Sequence, residues 1–150
     1  RSPLLDAPSL YSIGLAHKHL PEMQKLAGLD SAPVFVPILG DIRQGMMTSV
    51  MLQNRLLNGS PTAQDICEML SSYYEGQEMV RVLPFGGETP RLATSALAGK
   101  DYLTITVSGH TDQTLLTAQF DNLGKGASGA AVQNMNIMLG FPETTGLNMD

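Results

Sequence analysis

Apolar and polar positions along the chain change period several times, and each change marks an element. Tyr102–Val107 and Thr114–Phe120 alternate with the period of half-buried strands, and Gly109-His110-Thr111-Asp112 lies between them as a hairpin turn. Glu78–Leu83, Ala32–Leu39 and Tyr11–Ala16 read as further short strands. Gly45–Leu57 reads as a long one: Met47, Ser49, Met51 and Gln53 share one face, and Met46, Thr48, Val50 and Leu52 the other. Neither face is purely polar, so both are expected to be partly covered.

Helical spacing appears in three places. Pro21 suits a first turn, and the helix it opens runs to Ala27 and stops at Gly28. Ile66, Met69, Leu70 and Tyr73 recur on one helix face, with Ser60 as expected N-cap, Pro61 at the first position and Gly76 as stop. The last helix is expected over Leu123–Leu139, capped by Asn122 and ended by Gly140 and Pro142. Residues 1–10 read as irregular, Gly40-Asp41 as a turn and Pro84–Pro90 as a loop. The order implies an α+β fold: a mainly antiparallel mixed sheet with helices packed on one face.

Composition narrows the function. The 150 residues fit one domain or a piece of a larger protein. A net charge of -5 supplies no basic footprint for nucleic acid, and no apolar run reaches membrane-spanning length. The single cysteine excludes an internal disulfide and fits a reducing, cytoplasmic setting. The amino end, Arg1-Ser2-Pro3-Leu4, has neither an initiator Met nor a signal-peptide layout, so the chain is expected to be a fragment.

Few residues offer chemistry. His17 and His19 are two apart, either as a pair of proton carriers or as histidines satisfied by solvent or backbone. Asp41 and Glu22 lie within reach of a metal reading, but no third ligand has diagnostic spacing, so no metal is expected. Cys67 falls inside a helix with no visible cationic neighbour and reads as structural. Asn122, Gly124 and Lys125 open the last helix, where free N–H groups and a positive end suit an anion, and Asn122 has an amide to offer a ligand. The small residues after them, Ala127, Gly129, Ala130 and Ala131, suit close packing. Arg43 and Gln44 have donors for a carboxylate or phosphate.

Three segments resemble the carboxyl-terminal part of the N-acetyl-γ-glutamyl-phosphate reductase family. "HKHLPEM" resembles its His-Arg-His-x-Pro-Glu-Ile block, and "VFVPILGDIRQGMM" its Phe-Thr-Pro-His-Leu…Arg-Gly-Ile block. "DNLGKGASGAAVQNMNIMLGFPETTGL" is similar to its closing block almost residue for residue. The resemblance runs from Tyr11 to Leu147 and is weakest at residues 84–100.

The resemblance implies a domain like the C-terminal domain of glyceraldehyde-3-phosphate dehydrogenase. Residues 1–120 would be a catalytic and dimerising domain lacking its first strand or strands. Residues 121–150 would return to pack on an absent N-terminal NADP-binding domain. It also implies reduction of an acyl phosphate by NADPH through a cysteine thioester in arginine biosynthesis, with the nucleophile outside this chain and the fragment alone inactive. His19 and His17 would handle protons, with His19 favoured as the shuttle. Arg43, Lys18 and Gln44 would bind substrate, and Asn122, Gly124 and Lys125 the cofactor, Asn122 at the nicotinamide amide. The partners implied are the missing domain and further copies in a homodimer or homotetramer, with the Met-rich strand 46–52 as candidate surface. Lys18 stands where the family has arginine, Ile38 where it has histidine and Gln44 where it has arginine. These departures leave open a lysine-pathway or aspartate-type semialdehyde dehydrogenase, and a non-catalytic dimerisation or ligand-binding module.

Overall fold

The computed structural model describes residues 7–87 and 91–150. The end of the expected 84–90 loop and the start of the irregular segment 1–10 lie outside the described residues. The chain divides into two units, Arg1–Arg43 and Gln44–Asp150.

In the first unit, β1 (Ser9–Leu10) pairs antiparallel with β2 (Ile38–Leu39). The expected strand Tyr11–Ala16 does not form. Ser12 and Leu15 sit at φ 54, in the left-handed region, which breaks an extended run. The expected strand Ala32–Leu39 shrinks to its last two residues. Pro33 and Pro37 have no N–H to give to a ladder. Helix α1 (Leu20–Leu26) forms as read, with Pro21 in its first turn and Gly28 beyond its end at φ 63.

The second unit holds β3 (Met46–Gln53), α2 (Ala63–Tyr73), β4 (Val80–Val82), β5 (Leu103–Gly109), β6 (Gln113–Phe120) and α3 (Gly129–Leu139). The sheet order is β3-β6-β5-β4, antiparallel except for the parallel β4–β5 pair. The expected hairpin is present, with Ser108 opposite Leu115 and Thr106 opposite Thr117. Helix α2 packs on β4, β5 and β6. Its Ala63, Ile66 and Cys67 meet Val107, flanked by Leu52, Val82, Ile105 and Leu116. Burying a side chain of the size of Ile66 contributes roughly 1.5–3 kcal/mol.

Sequence reading missed two local devices here. The cap of α2 is Thr62, not Ser60: its Oγ1 accepts the N–H of Asp65, whose carboxylate accepts the N–H of Thr62. Ser60 is at φ 47, and the extended backbone that a cap needs is found at Thr62. Strand β3 also ends earlier than Leu57. Buried Asn54 starts a 3-10 turn, donates from Nδ2 to the carbonyls of His110 and Thr111, and accepts from Thr114 Oγ1 at 2.8 Å. Its side chain thus pins the β5–β6 hairpin instead of extending the ladder. Of the β3 side chains only Leu52 is half-buried, and the others are exposed on both faces, against the expected cover.

The terminal helix is not uniform. Residues Gly124–Ser128 form a wide turn, with Gly126 N–H donating to the Asp121 carbonyl and Ser128 N–H to that of Leu123. Regular α3 follows and ends at Gly140, φ 75.

Candidate functional site

Two groups of predicted residues are each shaped by their own unit. In the first, the carbonyl of His19 accepts the N–H of Met23, so His19 sits at the N-cap of α1 without capping through its ring. His17 Nδ1 accepts the N–H of His19 at 3.2 Å. An accepting Nδ1 leaves the proton of a neutral His17 ring on Nε2. The ring of His17 is held edge-on between Tyr11, His19 and Phe35, with centroids 5.8, 4.8 and 5.1 Å away. His17 is half-buried, while His19, Lys18 and Arg43 are exposed. The two imidazoles therefore differ: one is packed and oriented, the other open.

In the second unit the start of the terminal helix is fixed by side chains. Asn122 is not its N-cap. The preceding residue does that work, with Asp121 Oδ1 accepting the N–H of Leu123 at 2.8 Å. Asn122 Oδ1 instead accepts the N–H of Gly45 at 2.8 Å. Asn122 is exposed, and its Nδ2 group retains donors for a ligand carbonyl.

Gln44, expected to contact substrate, donates from Nε2 to Asp121 Oδ2 at 2.6 Å. Buried Asp121, which takes these bonds, is a residue that the sequence reading did not single out. Its signal was an acidic residue three before the first glycine of a helix start. Enclosure pushes its carboxyl up. Donation from the N–H groups of Gly99, Leu123 and Gly124 and from Gln44 outweighs this and holds it below the ordinary carboxylate range.

Gly124 and Lys125 have structural work as well. A Cβ on Gly124 would stand 2.7 Å from the Lys100 carbonyl, and one on Gly129 would strike the Asp101 carboxylate. Gly124 and Gly129 are thus a bed for Lys100-Asp101. Lys125 Nζ donates to Gln133 Oε1 at 2.6 Å, and Gln133 Nε2 donates to Glu143 Oε2 at 2.8 Å. Burial pushes the Lys125 ammonium down, against the opposing pull of Glu143 and Asp101.

Cys67 is buried in the core, with its thiol directed to the Leu83 carbonyl. An apolar hollow of about 330 Å³ beside α2 is lined by Leu52, Leu57, Met69, Leu70 and Leu116. The carboxylate at its edge, Asp65, is engaged in the helix cap. Among the described residues no helix is long and apolar enough to cross a membrane.

Residues 2–122 match a family model described as semialdehyde dehydrogenase, dimerisation domain. The chain belongs to that family. This dimerisation domain is 41% identical over 145 residues to N-acetyl-gamma-glutamyl-phosphate reductase 2 of Nostoc sp., covering 92% of the chain and 45% of the relative. It is 45% identical over 144 residues to the reductase 2 of Pseudomonas putida, covering 93% and 46%. It is 47% identical over 135 residues to the reductase of Brucella ovis, covering 87% and 44%. The chain spans somewhat less than half the length of these curated relatives. The fold is similar to that of aspartate semialdehyde dehydrogenase II from Vibrio cholerae, with TM-score 0.57 and 22% identity, covering 80% of this chain and 35% of that one.

Proposed function

We propose that the chain is part of an NADP-dependent reductase that converts N-acetyl-γ-glutamyl phosphate to the semialdehyde through a cysteine thioester. The observation that carries this reading is the likeness to three such reductases across 87–93% of the chain. The nucleophilic thiol belongs to the remainder of the protein, since Cys67 is enclosed in the α2 core. A nicotinamide cofactor supplies the hydride when bound.

The chain's own residues bind, orient and move protons. His19 is the proton shuttle: its ring is exposed, and general acid–base work of this kind requires access to the reacting oxygen. His17 holds the His19 main chain through Nδ1 and packs its ring edge-on against that of His19. Arg43 and Lys18, both exposed cations, neutralise the anionic substrate. Asn122 fits the cofactor amide: its oxygen is already satisfied by Gly45, which leaves Nδ2 to donate to a carboxamide carbonyl. Gly124 and Lys125 shape the adjoining turn and place positive charge there.

In the whole protein, residues 121–150 pack back on an N-terminal NADP-binding domain. Exposed Met135, Ile137, Met138 and Leu139 on α3 support that contact. Copies associate as a dimer or tetramer through the 46–52 strand, where Met46, Met47, Val50 and Met51 are exposed. The setting is cytoplasmic.

The test is full-length protein assayed with N-acetylglutamate semialdehyde, phosphate and NADP. Formation of NADPH absorbance that requires all three is the expected result. Formation only with aspartate semialdehyde, or with neither aldehyde, would replace the reading.

A further inference from the structure

Two neighbouring dipeptides grip each other at the head of the terminal helix. Gln44 donates through its side chain to Asp121, and Gly45 donates through its backbone to Asn122, at 2.6 and 2.8 Å. Asp121 is only 1% exposed. Oδ2, besides Gln44, takes the N–H of Gly99, and Oδ1 takes that of Leu123. The main-chain carbonyl of Asp121 takes the N–H of Gly126 in the wide turn. One enclosed carboxylate therefore joins Gln44, two residues before β3, to the 91–101 connection and the helix start. Charge-assisted bonds of this kind are short and directional. They fix the backbone on both sides of Asn122.

We propose that Asp121 and Gln44 form a positioning pair that sets the Asn122 amide for the cofactor, and that Gln44 is not a substrate ligand. This rests on the reading of Asn122 as the residue that holds the nicotinamide amide. Gln44 acts through Asp121, and Asp121 acts through the Asn122 backbone; neither touches the cofactor.

The experiment uses full-length reductase carrying this chain, as Gln44→Met, Asp121→Asn, Asn122→Ala and the Gln44→Met/Asn122→Ala double variant. Three quantities are read: the NADPH Kd by titration without substrate, the KM for the acyl phosphate, and amide hydrogen exchange at Gly99 and Leu123 without cofactor. Gln44→Met keeps the side-chain volume and removes the donor, so it remains informative if Asp121→Asn does not fold.

Loss of one bond to a charged partner weakens NADPH about tenfold in Gln44→Met. The acyl-phosphate KM stays within about twofold. The double variant binds NADPH no more weakly than the worse single variant, because residues acting as a unit are not additive. Exchange at Gly99 and Leu123 quickens in Gln44→Met.

A raised acyl-phosphate KM with unchanged NADPH affinity would make Gln44 a substrate ligand and overturn the pair. Multiplying effects in the double variant would overturn it as well. Weakened NADPH binding in Asn122→Ala with none in Gln44→Met would sink this inference alone. Unchanged binding in Asn122→Ala would sink the Asn122 assignment, and the pair's action through it would fall too.

Discussion

The N–H of Gly45 donates to Oδ1 of Asn122 at 2.8 Å. This bond ties the residue before β3 to the residue two before the wide helical turn. Gly45 reaches it with φ 115, a backbone state that side chains disfavour, and a Cβ there would run into the Thr94 carbonyl and stand 2.9 Å from Ser95 Cα. The glycine is therefore required twice, by its torsion and by the passing 94–95 chain.

Gly45→Ala accordingly lowers stability by about 2–4 kcal/mol, combining torsional strain with overpacking. Urea denaturation measures it. A midpoint equal to that of the parent would show that the 94–95 segment yields freely and that the close approach matters little.

Replacing His19 by Asn in the full-length enzyme reduces turnover by about 10²–10⁴-fold, the range for loss of a general acid–base. His17→Asn acts less, because it removes an orienting ring and not the proton carrier. Steady-state rates for both variants decide it. A larger loss from His17 would exchange the two roles.

The cap of α2 gives a pH signature. Hydrogen bonds from the Thr62 side chain first, then its backbone N–H, hold the Asp65 carboxyl below its ordinary value. A depressed folded-state pKa stabilises above the unfolded value of about 3.9, and the contribution is lost as pH falls through the folded value. Thr62→Ala lowers Tm by roughly 4 °C at neutral pH. The gap between variant and parent narrows in acid, below about pH 4, towards what the bond from the Asp65 N–H to Thr62 Oγ1 contributes. Melts across pH test this, and a constant gap would mean that the carboxylate contributes nothing.

Ile66→Ala empties the centre of the α2–sheet contact and costs about 3 kcal/mol. Met69→Ala, on the exposed side of the same helix, costs under about 1 kcal/mol. Similar losses for both would place the core elsewhere.

How far the sequence could be read depended on how local the cause was. The β5–β6 hairpin, α1 and the end of α3 follow from alternation and from glycines at fixed places, and all three are present. The cap of α2 was displaced by two residues because Ser60 and Thr62 are both good caps in composition. Only the backbone torsion, which Gly59 and Ser60 set in the left-handed region, chooses between them. The early end of β3 depends on Asn54 reaching carbonyls at His110 and Thr111, a long-range contact that no window contains. The candidate site shows the same division. The histidines and Asn122 were legible as residue types in telling blocks. Asp121 was hidden, because a carboxylate in a polar turn looks solvated until Gln44, distant in sequence, is seen donating to it.

Strand order has a kinetic consequence. Strand β6 lies between β5, its immediate predecessor among the described strands, and β3, which comes much earlier in the chain. Closing β5 onto β6 needs only a tight reversal, whereas β3 must return across a long loop that contains α2. Refolding is therefore expected to nucleate at the reversal and admit β3 late. Thr106→Ala or Thr117→Ala would slow the folding limb of a chevron, and Val50→Ala or Leu52→Ala would mainly steepen escape from the native basin. The opposite partition of rates would show that the distant pairing comes first.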